Sequence, residues 1–314
     1  MHALGPLPQP QRFLKKVVLM AQTHVRRTVF FFTGMPLVFL ILVTIYPLLY
    51  SLSVSFRDLS LLNLKGSSFI GLGNYIEALT STNSLSAFGH SFYFTIVSVS
   101  CEMVVALAMA MVLNQKFHGR NFVRALLILP WALPDVVNSV MWKWIFNAEF
   151  GALNGVLYQL HLIPEYQPWM ASGPRALNLL VLSNIWRCAP FVAILLLAAL
   201  QSISEEMLEA ARVDGASPWQ RFCHIILPML KPIILVALVL RTMDALRVFG
   251  LIYIVTNGGP GGATTTIGYH IFEQAFKALQ LGYASAMAWM LFLFVMILAV
   301  LYFHLLREKG RSDL

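Results

Sequence analysis

The chain has 314 residues, of which 58% are hydrophobic and only 11% are charged, and its mean hydropathy is +0.72. Soluble domains carry about 25% charged residues, so this composition excludes a soluble globular protein and indicates a chain surrounded mostly by lipid. The net charge of +8 does not indicate a nucleic-acid partner, because the basic residues lie beside apolar segments, as membrane topology requires. The cysteines and histidines are scattered without ligand spacing, so we expect no metal site.

The first 27 residues form a basic lead-in without the features of a signal peptide, because the apolar run that follows is long and has no small-residue cleavage site. We expect this lead-in to be cytoplasmic. Residues 10–27 are equally consistent with an amphipathic segment on the membrane surface and with a disordered tail.

Six apolar runs are long enough to cross a bilayer, which takes about 20 residues per helix. They predict an all-α membrane protein with one six-span domain over residues 28–306, followed by a short cytoplasmic tail at 307–314. The predicted spans are 28–56, 91–113, 122–146, 176–200, 232–256 and 284–306.

Lysine and arginine are distributed unevenly between the two sides of these spans. Fourteen lie in the two termini and in the second and fourth loops, whereas four lie in the other loops. This bias places both termini of a multi-pass membrane protein in the cytoplasm. The fourth loop, residues 204–228, is then cytoplasmic as well.

Prolines occur inside several of the predicted spans. Each removes a backbone hydrogen bond and favours a kink, which suits helices around a polar cavity, although proline is also common in ordinary membrane helices. They are Pro36, Pro47, Pro130, Pro134 and Pro190.

The loop at 204–228 predicts two short helices joined by a glycine turn. Ser204 is a suitable N-cap for a helix that begins at Glu205, and Gly215 can end that helix in a left-handed conformation. Ser217 and Pro218 then begin a second helix. Such a loop would form a rigid projection that can transmit a motion.

The sequence from Glu209 to Pro228 resembles the EAA loop of the membrane-spanning subunits of bacterial ABC importers, in which a cytoplasmic coupling helix docks into an ATPase subunit. The alternative is a purely structural hairpin. The resemblance implies that the following residues couple this chain to an ATPase: Glu209, Ala210, Ala211, Asp214, Gly215, Leu227 and Pro228.

Three other segments resemble the carbohydrate branch of these permeases, on the first-permease side of the pair. They are the Phe69–Tyr75 element, the Trp186, Pro190 and Phe191 element, and the threonine-rich Gly-Gly-Pro loop that follows Tyr253 and leads to Gly282-Tyr283. One departure is Gly250, where this branch often has an aspartate, and this leaves the identity of the sugar open.

Ionisable groups inside predicted spans are candidates for a substrate pathway, because they are costly in lipid. Arg241, Asp244 and Arg247 share one helix face. They would either contact sugar hydroxyls or form a charge-neutralising group that faces a partner subunit. The complete set of candidates is Asn138, Asn184, Arg187, Arg241, Asp244, Arg247 and Tyr253.

The resemblance implies the type I permease fold of ABC importers, a location in the bacterial cytoplasmic (inner) membrane and a role as half of a sugar pathway. No catalytic residue is expected, and no cofactor on this chain, since it has no Walker-type sequence; ATP and magnesium would bind partner ATPase subunits. The expected partners are a second permease subunit, two ATP-binding subunits, an extracytoplasmic sugar-binding protein and membrane lipid. We expect an α-linked disaccharide such as trehalose or maltose; the alternatives are glycerol phosphate or another small solute, and an ion-coupled secondary transporter.

Overall fold

The computed structural model describes residues 28–62 and 67–309. The lead-in at 1–27 and the last residues of the tail therefore lie outside the described residues. The chain divides into two units, one ending at Val54 and the other beginning at Ser55, and each is described by itself.

The described part of the first unit is the helix α1, Phe30–Ser55, up to Val54. The first five residues of this helix form a π-helical turn. Its large side chains are apolar and mostly exposed on every side of the helix. A helix that is apolar all round is typical of a membrane span. The helix continues through Pro47.

The second unit is helical apart from one two-residue antiparallel ladder, in which β1, Arg57–Asp58, pairs with β2, Ser68–Phe69. Its helices follow in chain order. They are α2 (Gly73–Thr80), α3 (Thr82–Asn114), α4 (Arg120–Leu127), α5 (Leu129–Ala132), α6 (Asp135–Ile145), α7 (Ala152–Gln159), α8 (Gly173–Leu200), α9 (Glu205–Val213), α10 (Pro218–Arg221, continued by a π-helical turn Phe222–Ile226), α11 (Leu227–Leu246), α12 (Gly250–Val255), α13 (Ile267–Phe272, continued by a π-helical turn Glu273–Lys277) and α14 (Leu281–Lys309).

Five stretches of the described chain are long and apolar enough to cross a membrane, and a bent pair supplies a sixth. The pair corresponds to the predicted third span and bends by 92° between Ala132 and Asp135. Pro134 explains the break, because proline lacks the N–H that a helix needs and drives the preceding Leu133 into an extended conformation. The kink expected at Pro134 is thus confirmed, whereas α8 continues through Pro190.

Several helices are longer than the predicted spans. The helix of the second predicted span, α3, begins at Thr82, whereas the span begins at 91; the helical stretch of the fifth span begins at Pro218, whereas the span begins at 232. The predicted outside loops also contain α2, α7 and α13. The reason is physical: hydropathy marks only the part of a helix that lies in lipid, whereas backbone hydrogen bonding continues the helix through polar residues beyond it.

The core of the second unit is formed where α3, α8 and α11 pack together. Small side chains occupy the contact, which lets the helix backbones approach closely, as is common between membrane helices. The buried small residues are Ala106, Ala110, Val192, Ala193 and Ala237.

The Phe69–Tyr75 and Gly282-Tyr283 elements form hydrogen bonds with the segment of chain at the end of α1 and just after it. Asn74 donates hydrogen bonds to the carbonyl oxygens of Ser55 (2.8 Å) and Arg57 (2.9 Å). Gly282 donates its N–H to the carbonyl oxygen of Leu59 (3.0 Å), and a Cβ at Gly282 would overlap the carbonyl oxygen of Arg57. A side chain at position 282 would therefore separate the start of α14 from this strand.

The threonine-rich loop between α12 and α13 is held in place by hydrogen bonds of its threonine hydroxyl groups. Thr264 donates to the carbonyl oxygen of Gly259 and bonds the hydroxyl of Thr256, both at 2.7 Å. Thr266 donates to the carbonyl oxygen of Val248 at 3.0 Å. Its glycines thus belong to a hydrogen-bonded turn, and the structure gives this motif a structural role.

Candidate functional site

A polar cavity of about 650 Å³ lies at the breaks in two of the apolar stretches. One wall begins at the bend before α6, and the other contains the end of α11 and the start of α12. The cavity is lined by Trp131, Asp135, Val136, Asn138, Asn184, Arg187, Cys188, Arg241, Asp244, Arg247, Val248, Phe249, Gly250 and Leu251.

A buried ion pair between Glu102 and Arg241 fixes one wall of this cavity. The side chain of Glu102 is fully buried and that of Arg241 is 7% exposed, and Arg241 Nε donates to Glu102 Oε2 at 2.8 Å. Asn184 Nδ2 donates to the other oxygen, Oε1, at 2.7 Å. Buried charges are stable only when they are paired and hydrogen-bonded. Arg241 is therefore mainly a charge-neutralising residue that joins α11 to α3.

The remaining charges of the cavity are paired as well. Asp244 accepts from Arg241 at 3.2 Å and from Arg247 at 3.0 Å. Across the cavity, Arg187 Nη1 donates to Asp135 Oδ1 at 2.8 Å. Each arginine that lines the cavity thus has a carboxylate partner, and with the buried Glu102 counted, three carboxylates balance the three arginines.

Some polar atoms at the cavity are buried and have no hydrogen-bond partner among the described residues. They include Oδ1 of Asn138 and Nε of Arg187. Beside them, the rings of Trp131 and Phe191 stack with centroids 4.9 Å apart. Because these atoms are buried, the group that the cavity presents to a polar organic solute in this conformation is the ring of Trp131, which is 43% exposed.

Six of the seven predicted pathway residues line this cavity, and the seventh, Tyr253, does not. Tyr253 stacks instead on Phe249, which does line the cavity, with centroids 5.5 Å apart and planes 18° apart, and its role in the pathway stays a prediction. Sequence reasoning did not include Asp135, Cys188 or Gly250 among the pathway residues. These residues lie near one another because of the bend at Pro134 and the break before α12. No local sequence pattern predicts that they come together.

The predicted capping of the loop at 204–228 is confirmed. Ser204 Oγ accepts from the N–H of Met207 at 3.2 Å and caps α9. Gly215 is left-handed, with φ +83°. The N–H groups of Gly215 and Ala216 donate to the carbonyl oxygens of Arg212 and Ala211, which satisfies the end of the helix.

The second helix of this loop is capped in the predicted way. Ser217 and Gln220 form a reciprocal capping box, with Pro218 in the first turn of α10. Leu227 and Pro228 lie further along, where α11 begins. Two capped helices joined by a hydrogen-bonded turn form a stiff unit.

The outer face of α9 is exposed in the part of the chain that the structure describes. Glu209 is exposed and makes no hydrogen bond or ion pair with any residue that the structure describes, and Ala210 and Asp214 are exposed as well. The side chain of Val213 is 87% exposed, and that of Trp219 in α10 is 71% exposed. Ala211 is half-buried on the inner side. Exposed apolar side chains beside acidic groups are available to another protein.

A lined polar cavity between apolar spans, with a capped helix projecting from the loop between two of them, defines the class of protein as the membrane-spanning subunit of a transporter. Residues 102–310 match the family described as "Binding-protein-dependent transport system inner membrane component", and the chain belongs to this family.

Two curated relatives support the assignment. The chain is 37% identical over 270 residues to the "Trehalose/maltose transport system permease protein MalF" of Thermococcus litoralis, covering 85% of this chain and 90% of the relative. It is 35% identical over 272 residues to the "Sulfoquinovosyl glycerol transport system permease protein SmoG" of Agrobacterium fabrum, covering 87% and 88%.

A solved structure has the same fold. It is the bacterial alginate ABC transporter in complex with an alginate pentasaccharide-bound periplasmic protein, which this chain matches with a TM-score of 0.78 and 22% identity over 92% of this chain and 97% of that chain. The all-α, type I importer fold is confirmed. The protein is a permease subunit of a sugar ABC importer rather than an enzyme, and ATP hydrolysis belongs to a separate chain. The alternative of an ion-coupled secondary transporter is excluded by this family membership.

Proposed function

We propose that this chain forms half of the pathway for an uncharged α-linked disaccharide such as trehalose or maltose. The observation that carries the proposal is the pairing of Arg187, Arg241 and Arg247 with carboxylates. An anionic solute needs a cation that is free to bind it, and this chain supplies none among the described cavity residues. The relative named for trehalose and maltose supports the same substrate.

The sugar would be held by polar groups of the cavity. Asn138 Oδ1, which is buried and has no partner among the described residues, would accept a hydrogen bond from a sugar hydroxyl in the conformation that opens to the sugar. Asp244 already pairs with Arg241 and Arg247, but its side chain is about half exposed and would accept another. The ring of Trp131 would contact the apolar face of a pyranose. Such a site binds modestly, which permits release on the other side.

The pump would work by alternating access with several partners. An extracytoplasmic binding protein would deliver the sugar to this chain and to a second, related permease subunit in the bacterial inner membrane. Two ATPase subunits would bind ATP and magnesium, and their closure would move α9 through Glu209, Ala210 and the residues up to Gly215. The stiffness of the capped loop supports this role, because a flexible loop would absorb the motion.

The complex purified through this chain and reconstituted in lipid tests the proposal. We expect its ATPase activity to rise severalfold with a binding protein loaded with trehalose or maltose, and not with the empty binding protein. Stimulation by glycerol phosphate alone would overturn the choice of a neutral sugar. A preparation without any ATPase subunit would contradict the proposed assembly.

Asn138→Ala tests the role of the cavity. Removal of one hydrogen bond to the sugar should raise the half-saturating sugar concentration about fivefold to tenfold, measured as uptake into proteoliposomes. Val156→Ala in α7 is a matched control, since Val156 is exposed and lies away from the cavity. An unchanged concentration dependence in Asn138→Ala would argue against contact with the sugar.

A further inference from the structure

Gly250 lies against Asp135 in the wall of the cavity. It is the first residue of α12, and a Cβ built on it would overlap Oδ2 of Asp135. The overlapping atom is the end of a side chain rather than backbone. A larger residue at position 250 would therefore displace the Asp135 carboxylate instead of blocking the fold.

Asp135 uses its other oxygen to hold Arg187. The distance from Asp135 Oδ1 to Arg187 Nη1 is 2.8 Å, and the two side chains are 42% and 26% exposed. Asp135 is the only carboxylate that pairs with Arg187 among the described residues, since the other arginines of the cavity pair with Glu102 and Asp244. Arg187 Nε has no hydrogen-bond partner among them. The charge of Arg187 is thus neutralised by one ion pair, the one with Asp135.

We propose that Gly250 is a specificity-determining residue: its missing side chain admits the Asp135 carboxylate, which neutralises Arg187 and excludes sugar acids from the cavity. This inference rests on the proposed role of the cavity as a sugar pathway. With the carboxylate displaced, Arg187 becomes a half-buried cation whose guanidinium is free to bind a carboxylate or sulfonate of a sugar. The addition of a methyl group at position 250 would then change the charge of the solute that the cavity prefers.

The test measures sugar binding to the complete complex of permease and ATPase subunits in lipid nanodiscs. The binding protein is left out, so that only the cavity discriminates between neutral and acidic sugars. The probes are tritiated maltose and unlabelled maltobionate, a sugar acid with the same α-linkage, as a competitor. We expect the wild-type complex to prefer maltose, and Gly250→Ala to lower the ratio of the dissociation constants for maltobionate and maltose about tenfold or more. Asp135→Asn, which keeps the volume, should have the same effect.

Two further variants separate charge from packing. Gly89→Ala is the matched control, because a Cβ at Gly89 in α3 meets no atom within 4 Å. The double variant Gly250→Ala/Arg187→Gln should restore the wild-type preference, since the freed cation is removed. Phenylglyoxal, which modifies accessible arginines, should label Arg187 more rapidly in Gly250→Ala than in the wild type, as read by peptide mass spectrometry.

An unchanged ratio in both Gly250→Ala and Asp135→Asn, with maltose still bound, would overturn the inference and leave the proposed function intact. A ratio that falls in Gly250→Ala but does not recover with Arg187→Gln would overturn it also, because the effect would not act through Arg187. A wild-type complex that binds neither sugar would instead overturn the proposed function.

Discussion

A single buried carboxylate, that of Glu102, positions two residues of the cavity wall. It lies in α3, fully buried, and it holds both Arg241 and Asn184 at the back of the cavity. A neutral residue there would leave Arg241 buried with only the half-exposed Asp244 as a partner. The position of the cavity wall therefore depends on a residue that does not line the cavity.

Glu102→Gln should destabilise the protein by about 3 kcal/mol or more, because removing one member of a buried pair leaves the charge of Arg241 with only the half-exposed Asp244 as a partner. The measurement is the thermal unfolding of the purified complex. Lys116→Gln, which breaks the exposed pair with Glu205 (3.1 Å), is the control and should cost less than about 1 kcal/mol. Replacing both partners, in Glu102→Met/Arg241→Met, should recover much of the loss; no recovery would contradict the charge argument.

Among the elements, α9 and the loop around it follow from the sequence almost completely. Ser204, Gly215, Ser217 and Pro218 specify its caps through rules that act within a few residues. By contrast, the pairing of Glu102 with Arg241 joins residues far apart in sequence, and no local pattern selects Glu102 over another carboxylate. The start of α3 at Thr82 was missed for a different reason, since polar residues there extend the helix beyond the lipid.

Glu209→Ala is expected to abolish transport and weaken the coupling of ATPase activity, without reducing the amount of inserted protein. Glu209 has no hydrogen bond or ion pair to lose within the described chain, so a loss of transport would report a contact with another subunit. Uptake and ATPase activity of the reconstituted complex measure it. Glu205→Ala, on the same helix, is the control and should transport normally. Normal transport in Glu209→Ala would remove α9 from the coupling mechanism.

A pH-dependent element lies outside the spans, at α13. Burial lowers the pKa of His270 below its usual value, although Glu273, whose Oε2 is 3.9 Å from Nδ1, acts in the opposite direction. Ser84 Oγ lies 3.4 Å from Nε2 and also bonds the Tyr283 hydroxyl. In the same pocket lies His90, and Lys277 pairs with Glu273.

Because the folded pKa of His270 is lowered, the unfolded chain binds a proton at a higher pH than the folded chain does. Stability should therefore fall as the pH falls below about 6.5. We expect the melting temperature to drop between pH 7.5 and pH 5, and to drop less in His270→Gln. His118→Gln, at an exposed histidine, should behave as the wild type; equal drops in all three proteins would exclude His270 as the cause.

At the scale of the whole molecule, the distribution of lysine and arginine predicts which end of each span faces the cytoplasm. Trp219 in α10 and Phe276 in the π-helical turn after α13 are 71% and 68% exposed, and the charge rule assigns them to opposite sides of the membrane. They provide a direct test of the orientation.

Trp219→Cys and Phe276→Cys would be made in a variant without Cys101, Cys188 and Cys223, and treated with a membrane-impermeant thiol reagent in right-side-out vesicles. We expect labelling at position 276 and none at position 219 until the vesicles are opened. The reverse pattern would invert the orientation and place α9 away from ATP.

The pair formed by Glu102 and Arg241 also limits how permeases of this kind can be recombined. The two residues belong to α3 and α11, so a crossover anywhere between them, whether in a natural gene exchange or in a designed chimera, takes one partner from each parent. If the second parent keeps a neutral residue at either position, the hybrid inherits a lone charge in its core. Functional chimeras should therefore be recovered mainly from crossovers that keep α3 and α11 from the same parent.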